Sequence, residues 1–514
     1  MPRAAQKDNA IFGGIRIFKG LLKRTIITCM SSNNHKNTTA TLDGIAPTWD
    51  ALSHYTTPTW FREAKFGIYT HWGIFSVPAY GQNGTWYGCH MYRPDHPTHR
   101  HHEKTYGPIT EFGYKDFIPK LTGEHFDADQ WAQLFKDAGA QFAGPVAIFH
   151  DNFPMWNSKV NSWNAASMGP KRDVVGELAT AIRGQGMKFL CTLHHSANYW
   201  WFPKVEGTDT VDPRFSKIYS SRRDSDFADA DFLETWFSEI TELIDGYGPD
   251  LMWFDFGLGK IPDRYRRHML AYYYNWAQRN DRDVCVAFKG KKDVLNLPPL
   301  TGLYDLEVGK MNEMTIHPWL TDTSVDASPR GGWAYGQSFG YKSSERIIHN
   351  LIDSVSKNGY LLLNVGPRAD GTIPEPAQDI LRDIGRWLAI NGEAIFGTVP
   401  WLSSGEGPTE IAGGSYFNEN SEARMTSHDL RFTTKGDAIY ITALGRPGDY
   451  LTCKSFSNGY LFHPADIVKI EMLGGNGEAL PWTFDEDGLR FKVPHEVPSS
   501  IAVSFKLTLR TDID

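Results

Sequence analysis

From Trp60 to about residue 396 the chain alternates between two hydrophobic patterns. Short continuous apolar runs read as strands buried on both faces. Between them, apolar residues recur every three or four positions, which reads as helices with one buried side. Phe66-Gly-Ile-Tyr-Thr70 is such a strand, closed by the polar His71. Asp127 to Gly139 is a helix with an Asp cap, an apolar face of Trp131, Leu134 and Phe135, and a Gly stop. The apolar run 145–149 follows. The unit recurs as helix 174–183 and strand 187–193, helix 231–245 and strand 250–255, then helix 264–278 and strand 283–288. Last comes helix 343–356, ended by Asn358-Gly359, and strand 360–365. In helix 231–245 the predicted buried stripe is Phe232, Trp236, Ile240 and Leu243. Repeated strand–helix units predict an α/β fold with a parallel sheet covered on both faces. Spread over ~330 residues, above the ~250 of a bare barrel, they predict a (β/α)8-like (TIM-type) barrel with long loops. A doubly wound sheet is the alternative, but no GxGxxG turn follows the first strand.

After Trp401 the pattern changes to short alternating strands at 438–443, 467–473 and 501–505, with Gly474-Gly475 and Asp487-Gly488 between strands. These predict a C-terminal antiparallel β-sandwich. The expected organisation is a flexible N-terminal extension over 1–45, a barrel domain over 46–400, a Gly/Ser/Glu-rich linker over 401–415 and a sandwich over 416–514. In the extension, Arg16, Lys19, Lys23 and Arg24 interrupt any signal-peptide core, and Met30 opens a polar leader that runs into the globular part. The extension therefore reads as a segment upstream of the true start, and a cytoplasmic location is expected.

Composition narrows the function classes. Net charge is −8, against the basic surface that a nucleic-acid partner requires. No uninterrupted apolar run of roughly 18 residues is present to span a membrane. The five cysteines are scattered without a CxxC pair, which is neither a disulfide framework nor a zinc site. The unusual number is 13% aromatic residues, including 17 Trp. Aromatic faces pack cores and also stack on sugar rings, so a carbohydrate ligand enters the picture.

In a barrel the chemistry gathers at the C-terminal strand ends. The polar residues closing the predicted strands are His71, His150-Asp151, His194-His195, Asp255 and Lys289, with Glu307 in a later loop. A single strand-end histidine is an ordinary structural group, but several at successive strand ends form a pattern. HExxH is absent, so no metal and no cofactor is expected. Asp255 ends the apolar strand Leu-Met-Trp-Phe between Trp253 and Phe256, where apolar walls make an unpaired carboxylate costly. A helix cap or a salt-bridged structural Asp is the plainer reading of the same position.

The stretch Lys65-Phe-Gly-Ile-Tyr-Thr-His-Trp-Gly-Ile-Phe-Ser-Val-Pro78 resembles the α-L-fucosidases of glycoside hydrolase family 29. So do Thr85-Trp-Tyr, His150-Asp, Met155-Trp, Pro249-Asp-Leu-Met-Trp-Phe-Asp255 and Gly359-Tyr-Leu-Leu-Leu-Asn-Val-Gly-Pro-Arg-Ala-Asp-Gly371. Gly385-Arg-Trp-Leu-Ala-Ile-Asn-Gly-Glu-Ala-Ile-Phe396 continues the likeness, which covers roughly residues 60–400 in consistent order. The resemblance implies a barrel followed by a β-sandwich, and a retaining exo-hydrolase that releases terminal α-L-fucose from oligosaccharides or glycoconjugates. It places Asp255 as nucleophile and Glu307 as general acid/base, with Glu313 in reserve. It implies sugar contacts at His71, Trp86, His150, His194, His195, Trp253 and Lys289, within aromatic walls that include Trp200 and Trp201. Three positions depart from the family pattern. Thr85-Trp86-Tyr87 stands where many members have Glu-Trp-Tyr, Phe149-His150-Asp151 where many have His-His-Asp, and Ala287-Phe288-Lys289 where many have a strand ending in Asp-Arg-Trp. Two alternatives stay open: a carbohydrate-binding relative with weak catalysis, and a retaining hydrolase of a related α-linked sugar such as galactose. A homo-oligomer is compatible with the sequence.

Overall fold

The computed structural model describes residues 44–510, apart from 82, 221–227, 291–296, 299, 329–331, 337–339, 411–416, 418–423 and 458–462. Eight parallel strands close a barrel in sequence order: β1 (Phe66–Thr70), β2 (Phe142–Ile148), β3 (Lys188–Leu193), β4 (Leu251–Phe254), β5 (Cys285–Lys289), β6 (Leu303–Asp305), β7 (Trp319–Ser324) and β8 (Gly359–Val365). The β1–β8 pairing that closes the ring runs from Phe66 opposite Leu361 to Thr70 opposite Val365. Nearly every strand residue is buried, because the barrel interior covers one face and the helices cover the other.

The helices form where the sequence carries their signals. Asp127 caps helix Ala128–Asp137 by accepting from the Gln130 amide, and Gly139 beyond it takes φ +87°. Helix Glu375–Asn391 passes so close to that helix that a Cβ on Gly385 would sit 1.9 Å from the Asp137 carbonyl oxygen. Helix Ala230–Tyr247 buries Trp236, Ile240 and Leu243 as expected, but Leu233 replaces Phe232 in the buried stripe. That stripe also buries a glutamate, Glu239.

Two short strands, β6 and β7, lie in the stretch that sequence periodicity left unassigned. β6 has only three residues, and β7 (Trp-Leu-Thr-Asp-Thr-Ser) carries polar residues on both faces, so neither shows an apolar run.

The C-terminal region consists of a five-stranded sheet and a three-stranded sheet. The larger has β9 (Val399–Glu406), β10 (Leu430–Lys435), β11 (Ala438–Ala443), β13 (Ile467–Met472) and β16 (Val503–Leu509), in the order β13-β16-β11-β10-β9. The smaller has β12 (Tyr450–Cys453), β14 (Trp482–Asp485) and β15 (Gly488–Lys492), in the order β12-β15-β14. The stretch expected as a linker, 401–415, therefore begins inside the sandwich: residues 401–406 belong to β9, which pairs antiparallel with β10. The extension over 1–45 lies outside the described residues except for its last two. The described cysteines, Cys89, Cys191, Cys285 and Cys453, are buried free thiols. Among the described residues no helix is long and apolar enough to cross a membrane.

Candidate active site

The barrel ladder fixes where each strand-end side chain points. His71 donates its backbone amide to Val365, His194 to Ile148 and Asp255 to Leu193, so each residue one step beyond its strand is still pinned by the neighbouring strand. Asp255 stands at the mouth of β4, 5% exposed. Its Oδ2 is 2.8 Å from His194 Nδ1 and 3.3 Å from His150 Nε2, and its Oδ1 is 3.2 Å from Lys289 Nζ. Hydrogen-bond partners assign the His194 tautomer: Nδ1–H donates to Asp255 and Nε2 accepts from the Thr192 hydroxyl at 3.2 Å. His150 is oriented by its Nδ1, 2.6 Å from the His194 carbonyl oxygen. Burial alone would raise the Asp255 pKa. The Lys289 ammonium and the two imidazoles outweigh it and hold the carboxyl well below the usual range.

Lys289, the last residue of β5, is 6% exposed, and its Nζ touches three carboxylates on three elements. Besides Asp255 these are Glu307 Oε1 at 3.0 Å and Asp322 Oδ2 at 3.3 Å. The ammonium also lies over the rings of Trp253 and Trp333, 4.8 and 5.1 Å from their centroids. Behind it, Asp305 Oδ2 accepts from Trp253 Nε1 and Asp305 Oδ1 from the Asp322 amide, while the Tyr69 hydroxyl donates to Asp322 Oδ2.

Glu307 is held by its backbone. Leu306 and Val308 donate to Leu320 and Asp322 carbonyls, and the Glu307 carbonyl accepts from the Phe417 amide, which lies between β9 and β10. Val308 has φ +46°, unusual for a β-branched residue and a mark of local strain. Burial raises the Glu307 pKa. Lys289 lowers it in part, while the negative fields of Asp322 and Asp255 add to the rise, so that it reaches about 7. One carboxyl group of the pair is thus pushed down and the other up.

The walls are aromatic. His71 rests between Phe149 and Trp333, with ring centroids 5.9 and 5.6 Å away. Its Nδ1 faces the Asn364 side-chain oxygen at 2.8 Å, and burial followed by the field of His194 holds its pKa well below the ordinary value. A neutral ring bonded in this way keeps Nε2 as its remaining acceptor. Trp86 lies edge-on to His150 at 5.9 Å and stacks with Phe256, also at 5.9 Å. Trp201 packs against His150, and Trp200 against Phe256. One ring nitrogen each of His150 and His194 and an Asp255 oxygen lie within 4.8 Å of one another. The Lys289 ammonium beside the same carboxylate opposes a second cation there, so this cluster is not read as a metal centre.

Of the residues expected at the site, the structure gathers Asp255, Glu307, His71, Trp86, His150, His194, Trp253 and Lys289. Two stand apart. His195 turns away, fully buried, with Nε2 3.8 Å from Glu239 on helix Ala230–Tyr247, because consecutive residues leaving a strand point in opposite directions. Glu313 is exposed in the loop before β7. Sequence reasoning missed Asp322, Asp305, Tyr69, Trp333 and Phe417. Asp322 had one usable signal: it lies two residues from Leu320 and from Ser324, on one face of a six-residue strand.

A family model described as Alpha-L-fucosidase matches residues 30–393. Human tissue α-L-fucosidase is 32% identical over 478 residues, covering 90% of this chain and 91% of the relative. Human plasma α-L-fucosidase is 29% identical and covers 90% and 92%. The crystal structure of Thermotoga maritima α-fucosidase in complex with fucose superposes with a TM-score of 0.71 at 28% identity, covering 90% of this chain and 100% of that one.

Proposed function

The chain belongs to the α-L-fucosidase family of glycoside hydrolases, and from that premise we propose that it releases terminal α-L-fucose with retention, through a covalent fucosyl-enzyme intermediate. Asp255 is the nucleophile and Glu307 the general acid/base. The observation that carries this reading is the pair of carboxyl groups at the barrel mouth with opposite environments, Asp255 held anionic and Glu307 raised to about 7. Their spacing is compatible. Asp255 Oδ1 and Glu307 Oε1, at 3.2 and 3.0 Å from one nitrogen, cannot be more than about 6.2 Å apart, whereas retaining glycosidases place their pair ~5–5.5 Å apart.

In the first step an Asp255 oxygen bonds to the anomeric carbon as the glycosidic C–O bond breaks, and the Glu307 proton passes to the departing oxygen. In the second, Glu307 takes a proton from water, the water oxygen attacks the same carbon and Asp255 leaves as carboxylate. His194, which donates to Asp255, orients the attacking oxygen. His71 and the walls formed by Trp86, Trp253 and Phe256 are read as the sugar pocket.

The test is hydrolysis of aryl α-L-fucoside against aryl α-D-galactoside, with proton NMR of the first product. Faster fucoside cleavage that yields the α-anomer first supports the reading. Initial β-fucose, or preferred cleavage of the galactoside, overturns it.

A further inference from the structure

Lys289 was expected among the sugar contacts, yet its ammonium is already committed to Asp255, Glu307 and Asp322 at 3.0–3.3 Å. We propose that Lys289 is a positioning residue that serves as a fixed counter-charge shared by the two catalytic carboxyl groups, stabilising whichever of them is ionised at each stage. This deepens the double-displacement reading above and rests on it.

The argument follows the charge through the cycle. At rest Asp255 is the anion and Glu307 holds a proton. When the Asp255 oxygen bonds to the anomeric carbon, its negative charge is lost into the ester, and the proton leaving Glu307 for the departing oxygen creates a new one there. Hydrolysis reverses both changes. One negative charge thus moves between two carboxyl groups while their sum stays constant. A cation bonded to only one of them would favour one half of the cycle and penalise the other. Nζ contacts an oxygen of each, so the charge moves from one to the other while staying within contact of the same ammonium. Lys289 itself keeps its proton throughout.

The surroundings suit that task. The ammonium is buried, so water does not screen it. Asp322 and Asp305 face it from β7 and β6, and each contributes attraction that retains its charge. Asp255 is additionally faced by His194 and His150, whereas at Glu307 Lys289 opposes the negative fields of Asp322 and Asp255. Asp322 is in turn held by the Tyr69 hydroxyl. A sugar-hydroxyl donor would need a hydrogen aimed at the pocket. Here three carboxylate oxygens within 3.0–3.3 Å surround the ammonium with opposite charge instead.

The experiment is the pH profile of kcat/KM for an aryl fucoside in wild type, Lys289→Met and Lys289→Arg. Loss of the positive charge raises the pKa of both carboxyl groups, so both limbs of the Lys289→Met profile move to higher pH by about one unit or more. Lys289→Arg keeps the charge and leaves both limbs within a few tenths of wild type. A lowered rate in Lys289→Met with unmoved limbs would mean a purely structural role and overturns the proposal. If Lys289→Met does not fold, Lys289→Arg decides: unmoved limbs support the shared counter-charge, and limbs displaced by a unit refute it. Wild-type fucose release with retention is the control. Its absence removes the underlying reading as well, whereas its presence beside unmoved limbs in Lys289→Met removes only this proposal.

Discussion

Two buried ion clusters in this protein have opposite compositions. Where the barrel meets the sandwich, Asp353 on helix Ser344–Ser356 lies between two cations, 2.7 Å from Arg431 Nε on β10 and 2.9 Å from Lys357 Nζ. At the barrel mouth the Lys289 ammonium lies among Asp255, Glu307 and Asp322, with Asp305 behind them. In the first cluster burial would raise the Asp353 pKa, but Arg431 and Lys357 reverse it, and the pKa falls below the ordinary value. In the second there are more carboxyl groups than the cation can hold ionised. Asp255 stays anionic because two imidazoles assist Lys289, while Glu307 is left with a proton near neutral pH. A cation-rich cluster locks one state and serves cohesion. An anion-rich cluster leaves a proton to exchange, as acid/base chemistry requires.

The largest effect expected from breaking this contrast is at Asp255. Asp255→Ala should lower kcat on aryl fucoside by roughly three or more orders of magnitude with the circular dichroism spectrum unchanged. Azide should partly restore turnover and give the β-fucosyl azide. Turnover like wild type in this variant would dismiss Asp255 as the nucleophile. Next is Glu307→Ala, whose effect should depend on the leaving group. Cleavage of a natural fucosyl linkage should fall by about 10²–10⁴, while an activated aryl fucoside, which needs little protonation, loses far less. Equal losses on both substrates would count against Glu307 as the acid.

The interface cluster should respond in stability instead. Asp353→Asn leaves Arg431 and Lys357 facing a neutral group and should cost about 3–5 kcal/mol in urea denaturation, with kcat per folded molecule preserved. The pH dependence separates the clusters further. The folded pKa of Asp353 is depressed, so its contribution is present at neutral pH and is lost as pH falls through that value. Glu307 is raised from 4.5 to about 7, so the folded chain keeps a proton there that the unfolded chain has released, and stability falls as pH rises across that window. Glu307→Gln should therefore flatten the slope of Tm between pH 5 and 7, roughly the window set by those pKa values. A Tm profile parallel to wild type would contradict the raised pKa. The smallest effect is none at all: EDTA should leave activity intact, because Lys289 supplies the positive charge beside Asp255. Loss on chelation, restored by zinc, would make His150 and His194 ligands.

Much of the barrel was legible because its helices and longer strands carry complete local signals. Asp127 as cap, Gly139 as stop and the apolar runs of β1, β3, β4 and β8 all appear where periodicity puts them. β6 and β7 were not legible. Three residues cannot show a period, and the polar residues of β7 are buried only because other strands supply their partners. Residues 401–406 read as linker for a related reason: Ser403, Ser404 and Gly405 carry no apolar alternation, and β9 is made by pairing with β10.

The sequence by itself determined the strand-end positions of His71, His150, His194, Asp255 and Lys289, and the order of elements that brings them to one rim. A strand's apolar run and its terminating polar residue are local, and a parallel barrel places every C-terminal strand end on the same face. Tertiary structure alone decided which of these groups touch. That His195 turns outward to Glu239 while His194 meets Asp255, that Glu307 is gathered and Glu313 is exposed, and that Lys289 joins three carboxylates depend on side-chain directions and ångström separations across strands far apart in sequence. Ionisation in a buried site depends steeply on those separations, so the opposite pKa shifts of Asp255 and Glu307 are legible only in the folded chain.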